Sequence, residues 1–371
     1  MAEDSFRRRL EYLLNLADVR IDGDRDWDIQ VHNPHFFRRI LAQGSLGLGE
    51  SYMDGWWDCG AIDQLICRLL RAHLDEKVTY PAALLDTVKA RLLNRQSRRR
   101  AFEVGERHYN IGNDLYRRML DSRMIYSCGY WQDAETLEQA QENKLDLCCR
   151  KLQLHKGMRV LDIGCGWGGT ARFMAERYGV EVVGVTVSTA QAELAQDICA
   201  GLPIDIRVCD YREVQGRFDR VVSIGMFEHV GYKNYRTYFR KVRDLLVDDG
   251  LFLLHTIGGN ETTVKTDPWI ERYIFPNGML PSVRQIAEAT EGLFVLEDWH
   301  NFGPDYDRTL MAWHANIESA WEDLKAYDER FRRMWRYYLL SCAGAFRARS
   351  NQLWQILFSR DGIEGEFRVP R

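Results

Sequence analysis

A glycine-rich turn in the segment VLDIGCGWGG, residues 160–169, constrains the fold more than any other feature of the chain. An apolar run ends there in Gly164, Gly166 and Gly168, and a helical pattern follows. Glycine adopts positive φ and lets a ligand reach the backbone, so such a turn joins a strand to a helix at a cofactor site. Three glycines alone are weak evidence for a cofactor site. The other interpretation is a turn with a purely structural role.

The spacing of the glycines narrows the choice of cofactor. The pattern is GxGxG rather than the GxGxxG of dinucleotide enzymes. An acidic residue, Asp162, stands inside the strand, two positions before the first glycine. This arrangement is typical of S-adenosylmethionine (SAM) sites, and it favours SAM over a nicotinamide cofactor.

Strand-like and helix-like segments alternate after the turn. Short apolar runs predict strands, and longer segments with apolar residues at helical spacing predict helices. The predicted strands are 160–164, 181–186, 204–209, 219–224 and 251–257, with helices near 169–178, 188–200 and 234–246. This alternation predicts an α/β fold whose parallel sheet is covered by helices on both faces.

Composition excludes several other classes of protein. The chain has 371 residues, which suggests about two domains, and 46% of them are hydrophobic, which suffices for a packed core. The net charge of -4 excludes a globally basic nucleic-acid binder, and no apolar run approaches the ~20 residues of a membrane span. The N-terminus lacks a secretory pattern, and the nine cysteines include no CxxC pair. We therefore expect a cytoplasmic protein with reduced thiols and no metal site.

Three regions follow one another along the chain. Residues 1–75 predict a small, mainly helical domain. Within it, the glycines of segment 44–59 predict tight turns, and the aromatic side chains of that segment need a surface to pack on. Residues 76–105 form a basic linker, since 68–100 hold nine Lys and Arg against three Asp and Glu, an excess of +6. This stretch is either a solvated linker helix or a helix that meets an anionic membrane surface. Residues 106–371 carry the glycine turn and form the catalytic domain.

Polar residues follow the second and third predicted strands, where a cofactor would lie. The second strand lacks the carboxylate that usually binds ribose hydroxyls and offers Thr186 and Ser188 instead. Gln191, on the next helix, supplies amide hydrogen bonds. The third strand ends in Asp210 and Tyr211, which suit the amine and the face of adenine. The other interpretation of Asp210 is a helix cap.

Titratable side chains follow the fourth and fifth predicted strands. Glu228 occurs in GMFEHVG and His255 in LLHTIGG. An ionised glutamate complements the positive charge of a sulfonium. A single histidine on an apolar strand, however, is more often a satisfied core residue. These residues predict that the reacting centre lies at the ends of the fourth and fifth strands.

Several longer motifs resemble those of the bacterial cyclopropane fatty acid synthases and the related mycolic-acid cyclopropane synthases. The matching stretches lie between residues 44 and 349 and include GSLGLGESYMDGWW, HYNIGNDLY, YSCGYW, VLDIGCGWGG, GVTVSTAQ, GMFEHVG and EDWHNFGPDYDRTLMAW. The resemblance implies a Rossmann-like SAM-dependent methyltransferase domain with a seven-stranded, mostly parallel sheet. It also implies that the smaller, helical N-terminal domain interacts with lipid. The candidate docking segments are the glycine–aromatic segment 44–57 and the basic stretch 68–100.

The resemblance assigns roles to individual residues. It implies a bicarbonate ion at the reacting centre, and the matching ligand positions are Cys128, Glu228, His255, Ile257 and Tyr306. Tyr126 and Ser127 match positions that contact SAM, as do Gly164, Thr186, Gln191 and Asp210. Cys342 matches a cysteine that the family treats as an active-site residue.

The activity implied is transfer of a methylene group from SAM to the cis double bond of an unsaturated phospholipid acyl chain. The products are a cyclopropane ring and S-adenosylhomocysteine (SAH). The alkene attacks the sulfonium methyl, and the carbocation that forms is deprotonated by bicarbonate so that the ring closes. The site must be dry, because water would trap the cation.

The resemblance also implies partners. These are the phospholipid bilayer surface, unsaturated acyl chains and a second copy of the chain in a homodimer, with no nucleic acid. The implied location is cytoplasmic, peripherally on the inner membrane. Two other functions share the glycine turn: a SAM-dependent methyltransferase that methylates or methyl-branches another lipid or a small molecule, and a non-catalytic lipid-binding protein.

Overall fold

The structure, a computed structural model, describes residues 2–74, 112–365 and 367–371. The chain divides into two compact units, neither of which is contiguous in sequence. The first contains residues 2–74 together with 264–276 and 306–351, and the other described residues form the second. The division predicted from the sequence is contiguous and places 264–276 and 306–351 in the catalytic domain. The predicted basic linker, 76–105, lies outside the described residues.

The first unit is mainly helical. It also contains two short strands, β1 Gln30–Val31 and β2 Trp57–Asp58, that pair antiparallel. Its helices are Ala2–Asn15, Phe36–Gln43, Ser45–Met53, Ile62–Arg71, Pro268–Tyr273, Pro304–Ala320 (from residue 306 onward) and Glu329–Arg347. Of the described helices in either unit, none is long and apolar enough to cross a bilayer.

The glycines of segment 44–59 divide into two pairs. Gly44 and Gly55 lie in turns on either side of helix Ser45–Met53, with φ values of 58° and 71°, as the sequence predicted. Gly47 and Gly49 lie inside that helix, and a Cβ at Gly49 would lie 2.4 Å from the indole of Trp269. The turn prediction was wrong at these two positions because glycine also allows close helix packing, which a single sequence does not distinguish from a turn. The Trp57 side chain is fully buried, so it packs within the first unit.

Helices Ile62–Arg71 and Glu329–Arg347 of the first unit make a similar close approach. A Cβ at Gly344 would lie 2.5 Å from the carbonyl oxygen of Asp63. The Arg347 guanidinium also pairs with the Asp63 carboxylate. The C-terminal part of the chain is therefore bound to its N-terminal part by both packing and charge.

The second unit is built on a seven-stranded sheet. The strands are β3 Arg159–Ile163, β4 Glu181–Thr186, β5 Ile204–Val208, β6 Phe218–Ile224, β7 Leu246–Gly259, β8 Val295–Asn301 and β9 Asn351–Ser359. Their order in the sheet is β5-β4-β3-β6-β7-β9-β8. β3 to β7 pair in parallel, whereas β8 and β9 pair antiparallel. The seven-stranded, mostly parallel sheet predicted above is confirmed.

Helices of the second unit connect these strands and complete its core. They are Asn113–Met119, Leu137–Lys151, Gly169–Tyr178, Thr189–Ile198, Tyr235–Leu245 and Val283–Thr290. The chain runs from β3 to β4 and β5 on one side, then continues to β6 and β7 on the other. Ligands of open α/β sheets lie beyond the carboxyl ends of the strands at such a reversal. The position beside β3 is therefore where a cofactor is expected.

Candidate active site

The glycine turn joins β3 to helix Gly169–Tyr178. Gly164, Gly166 and Gly168 have φ values of 88°, 54° and 83°, a region that glycine adopts without strain. A Cβ at Gly164 would lie 2.7 Å from the Cβ of Met226, which excludes a side chain there. A Cβ at Gly166 would meet no described atom within 4 Å. The backbone at Gly166 is therefore open to a ligand.

Asp162 lies near the end of β3 with its side chain buried. Among the described residues, no hydrogen-bond donor reaches its Oδ2 atom. Burial raises the pKa of this carboxyl to about 7, and the positive charge of Lys144 opposes that rise. Because buried polar atoms are normally hydrogen-bonded, this carboxyl is available to a donor group of a ligand.

Tyr126 and Ser127 lie in the loop before helix Leu137–Lys151. The Gln141 side chain donates a hydrogen bond to the Ser127 carbonyl oxygen at 2.7 Å, and the Lys144 ammonium donates to the Ser127 hydroxyl at 2.9 Å. The ring of Tyr126 packs edge-on against another aromatic ring, with centroids 5.2 Å apart. Both residues are thus held in place by contacts within the second unit.

The three polar residues predicted after β4 form one buried network. The Thr186 hydroxyl donates to Gln191 Oε1 at 3.0 Å and accepts from the Ser188 backbone N–H at 3.2 Å. The Ser188 hydroxyl caps the next helix by accepting from the Gln191 backbone N–H. The Gln191 side chain is therefore fixed at the end of β4, the position where a ribose-binding carboxylate usually stands.

Asp210 follows β5 and shows the capping role that the sequence left open. Its carboxylate accepts from the backbone N–H of Arg212 at 2.9 Å. It also pairs with the Arg212 guanidinium through two hydrogen bonds of 2.8 and 2.9 Å. The neighbouring Tyr211 ring is buried against Tyr238, with centroids 5.1 Å apart. The carboxylate is thus oriented by an arginine beside an aromatic ring.

Glu228 lies in the short turn that follows β6. Its Oε1 atom accepts from the backbone N–H of Ile257, at the end of β7, at 2.7 Å. Its Oε2 atom is buried and accepts no hydrogen bond from the described part of the chain. Burial raises the pKa of this carboxyl to about 7, and the Ile257 N–H opposes that rise. The unsatisfied oxygen can accept from a ligand.

His255 lies on β7, opposite Ile224 of the neighbouring β6. Burial lowers the pKa of its imidazole well below the ordinary value, so the ring is neutral. The Gln355 amide nitrogen lies 3.4 Å from Nδ1. With that amide donating to Nδ1, the ring proton sits on Nε2, which is buried and meets no hydrogen-bond partner in the described residues. The Nε2–H group of His255 can therefore donate a hydrogen bond to a ligand.

The predicted bicarbonate ligands do not all belong to one unit. Cys128, Glu228, His255 and Ile257 are in the second unit, and Tyr306 is in the first. Within the second unit, the hydrogen bond between Glu228 and Ile257 brings the ends of β6 and β7 together.

Within the first unit, the Tyr306 ring stacks on Phe346 with centroids 4.6 Å apart. Cys342 also belongs to the first unit, inside helix Glu329–Arg347. Burial raises the pKa of its thiol to about 12, which keeps it protonated at neutral pH. All nine cysteines are free thiols, and the described residues hold no group of three or more side chains suited to a metal ion.

Sequence reasoning missed three buried polar residues behind the site: Gln141, Lys144 and Gln355. The first two lie three residues apart on helix Leu137–Lys151, a spacing that places them on one helix face. Nothing in the sequence distinguishes a buried lysine from the many exposed ones. Gln355 lies on β9, which the sequence reasoning did not predict as a strand.

Comparison with known proteins agrees with this geometry. Residues 96–356 match the family described as mycolic acid cyclopropane synthetase. A cyclopropane-fatty-acyl-phospholipid synthase of Escherichia coli is 56% identical over the whole of this chain and 97% of its own length. A tuberculostearic acid methyltransferase of Mycobacterium tuberculosis is 32% identical over 90% of this chain and 83% of its own.

Solved structures include a mycolic acid cyclopropane synthase complexed with SAH and CTAB. It superposes with a TM-score of 0.65 at 34% identity and covers 70% of this chain and 98% of its own. The sheet and the glycine turn define a Rossmann-like SAM-dependent methyltransferase. The chain belongs to the mycolic acid cyclopropane synthetase family.

Proposed function

We propose that this protein transfers a methylene group from SAM to the cis double bond of an unsaturated phospholipid acyl chain, forming a cyclopropane ring and SAH. The observation that carries the proposal is the 56% identity, over the whole chain, to a synthase named for this product class. The site agrees with it. The open glycine turn follows β3, the unsatisfied Glu228 oxygen follows β6, and the unsatisfied His255 nitrogen lies on β7 toward its carboxyl end, and these three strands are neighbours in the sheet.

SAM supplies the methyl carbon as a sulfonium. For its adenosine end we propose the residues at the ends of β4 and β5. The Gln191 amide, fixed by Thr186 and Ser188, takes the ribose hydroxyls, and Asp210 with Tyr211 takes the adenine. The rest of SAM, its amino-acid end, lies against the glycine turn and Asp162, with Tyr126 and Ser127.

Glu228, in the turn after β6, and His255, on β7, fit a bicarbonate ion, which would supply a base. Glu228 Oε2 is an unsatisfied acceptor and His255 Nε2 an unsatisfied donor, both buried. A bicarbonate ion offers one hydroxyl to donate and carboxylate oxygens to accept, so it complements this pair. We propose that Cys128 and the Ile257 backbone belong to this site in the second unit. For Tyr306, which lies in the first unit, the role of bicarbonate ligand rests on the sequence resemblance alone. Cys342 has no proposed part in catalysis, because its thiol stays protonated.

We also propose that the protein works as a homodimer on the cytoplasmic face of the inner membrane. The acyl chain that it acts on is part of a bilayer, so the protein must meet the membrane surface to reach it. The E. coli relative, which matches over 97% of its own length, is named for a phospholipid product. Burial of Trp57 within the first unit argues against this side chain as a membrane contact of segment 44–57.

Purified protein incubated with SAM and vesicles of unsaturated phospholipid tests the function. We expect the acyl chain to gain CH2, seen by mass spectrometry, and to lose its alkene in favour of ring protons, seen by NMR. SAH must form in equal amount. Product formation should fall in decarbonated buffer and recover on addition of bicarbonate, and the absence of that response would remove bicarbonate from the proposal.

A second candidate function is methyl branching of a fatty acyl chain. The relative from Mycobacterium tuberculosis that matches 90% of this chain is named a tuberculostearic acid methyltransferase. The same experiment separates the two. With SAM and no reductant, a branched product gains CH2 but keeps an alkene and shows no ring protons. Its detection as the main product would replace cyclopropane formation as the proposed reaction.

A further inference from the structure

Ser127 is held from one side by a single helix. Helix Leu137–Lys151 begins with a capping box made by Thr136 and Gln139, which fixes its first turn. One turn further on, Gln141 binds the Ser127 carbonyl oxygen at 2.7 Å and Lys144 binds its hydroxyl at 2.9 Å. Both the backbone and the side chain of Ser127 are therefore oriented.

Lys144 is a buried positive charge without a counter-ion. Its side chain has 0% exposure, and it makes no ion pair within the described residues. The acceptor that its ammonium meets is a neutral hydroxyl. Burial lowers the pKa of Lys144, and the Asp121 and Asp162 carboxyl groups oppose that shift only electrostatically. An ammonium buried in this way is costly unless a negative charge approaches it.

The hydrogen bond from Lys144 sets the direction of the Ser127 hydroxyl. A serine hydroxyl has one proton to donate, and its oxygen here already accepts from the ammonium. Its own proton must then point at a different acceptor. Ser127 therefore presents a donor, strengthened by the adjacent charge, to whatever occupies the site.

SAM carries one anionic group, the carboxylate of its amino-acid end. The adenosine end is proposed at Asp210 and Tyr211, on the far side of β4 from β3. The buried Asp162 carboxyl suits the amino group of the amino-acid end. A buried ammonium with a hydroxyl donor in front of it suits the carboxylate.

We propose that Lys144 is a positioning residue for the amino-acid end of SAM. It fixes the Ser127 hydroxyl as a donor to the carboxylate and supplies the balancing positive charge. This inference rests on the proposed SAM site. It adds that affinity for the cofactor depends on a residue buried behind the site.

Calorimetric titration of the full-length protein with two ligands tests the inference. SAH carries the carboxylate, whereas 5′-methylthioadenosine lacks the whole amino-acid end. Lys144→Met keeps the length of the side chain but removes its charge and its donors. We expect it to weaken SAH binding by about tenfold or more, as for loss of a charge-assisted hydrogen bond. Binding of 5′-methylthioadenosine should change by less than about twofold.

Lys151→Met is the matched control. Lys151 is equally buried on the same helix, but it pairs with Asp298 at 3.2 Å instead of meeting Ser127. The control should leave the ratio of the two affinities unchanged, even where stability falls. Equal losses for both ligands in Lys144→Met, or no loss for SAH, would overturn the inference.

Ser127→Ala keeps the test decisive if Lys144→Met does not fold. It removes the hydroxyl and should show the same selective loss for SAH, whereas equal losses for both ligands would again overturn the inference. If the wild-type protein itself does not bind SAH, the proposed function fails. If it binds SAH and the variants lose both ligands alike, only the role of Lys144 fails.

Discussion

Glu228 is the single residue on which the proposed chemistry depends most. Replacing it with Gln keeps the size of the side chain but removes an acceptor and adds a donor, so the site no longer complements a bicarbonate hydroxyl. We expect Glu228→Gln to lower the rate of ring formation by at least 100-fold, in the range of general acid–base effects. SAH binding, measured by calorimetry, should stay within about threefold of the wild type.

Glu181→Gln is the control for that substitution. Glu181 is an exposed carboxylate at the start of β4, in the same unit. It should retain wild-type turnover. Full ring formation in Glu228→Gln would remove the residue from the mechanism.

The raised pKa of Glu228 also predicts how stability depends on pH. Its pKa is about 7 in the folded protein, against an ordinary value of 4.5. The folded state therefore binds more protons than the unfolded state between these values, and stability falls as pH rises through that window. The full contribution is on the order of 3 kcal/mol.

Chemical denaturation at a series of pH values checks this prediction. Relative to Glu228→Gln, the wild-type protein should lose free energy of unfolding as pH rises from about 5 to about 8. Asp162, with a similar pKa, is present in both proteins and cancels in the comparison. Parallel curves for the two proteins would contradict the prediction.

At the scale of elements, the contact between helices Ile62–Arg71 and Glu329–Arg347 depends on the absence of a side chain at Gly344. A Cβ there would lie 2.5 Å from a backbone oxygen, which cannot move away as a flexible side chain can. We expect Gly344→Ala to lower the free energy of unfolding by about 1–2 kcal/mol, despite the better helix propensity of alanine.

Thermal unfolding measures this cost. Ser341→Ala on the same helix is the control, because its hydroxyl donates to the Tyr338 carbonyl of its own helix, at 3.2 Å. That variant should stay within about 0.5 kcal/mol of the wild type. A higher melting temperature for Gly344→Ala would show that the helices separate without cost.

The elements differ in how far sequence alone predicts them. β3 to β6 fall within one residue of the predicted strands. β3 and β4 are buried, mostly apolar runs, whereas β5, at the sheet edge, alternates apolar with charged residues, and both patterns predict strands. β7 is longer than predicted at both ends. β8 was not predicted, because Val295 and Leu296 stay exposed and the polar residues EDWHN follow them.

Some residues of the candidate site were predicted from the sequence, and others were not. Glu228 and His255 were predicted because titratable groups at strand ends stand out from apolar neighbours. Lys144 and Gln355 were not predicted, because their importance comes from burial and from contacts with residues distant in sequence. The capping role of Asp210 was one of two alternatives, and the Arg212 contacts show that the cap forms.

At the scale of the whole molecule, the two compact units are made from interleaved segments of the chain. Residues 306–351 pack with 2–74 in the first unit. A protein cut to residues 106–371 would therefore leave one face of helix Glu329–Arg347 without its partners, although it keeps the whole sheet. We expect that fragment to aggregate or to bind a hydrophobic dye more strongly than the intact protein.

Dye fluorescence and thermal unfolding of fragment 106–371 check this prediction. Adding a separately produced fragment 1–105 should reduce dye binding, because it restores the surface that the helix packs against. A monomeric 106–371 fragment that unfolds cooperatively at the temperature of the intact protein would contradict the prediction.

The interleaving also affects how the protein is made. On the ribosome, the N-terminal helices emerge first, but their partner helix Glu329–Arg347 is not synthesised until almost the whole chain has been translated. At roughly 5–20 residues per second, the wait lasts on the order of 15–50 seconds. During that time an apolar surface is exposed in the cell. Production of the protein should therefore depend on chaperones that hold a nascent N-terminus.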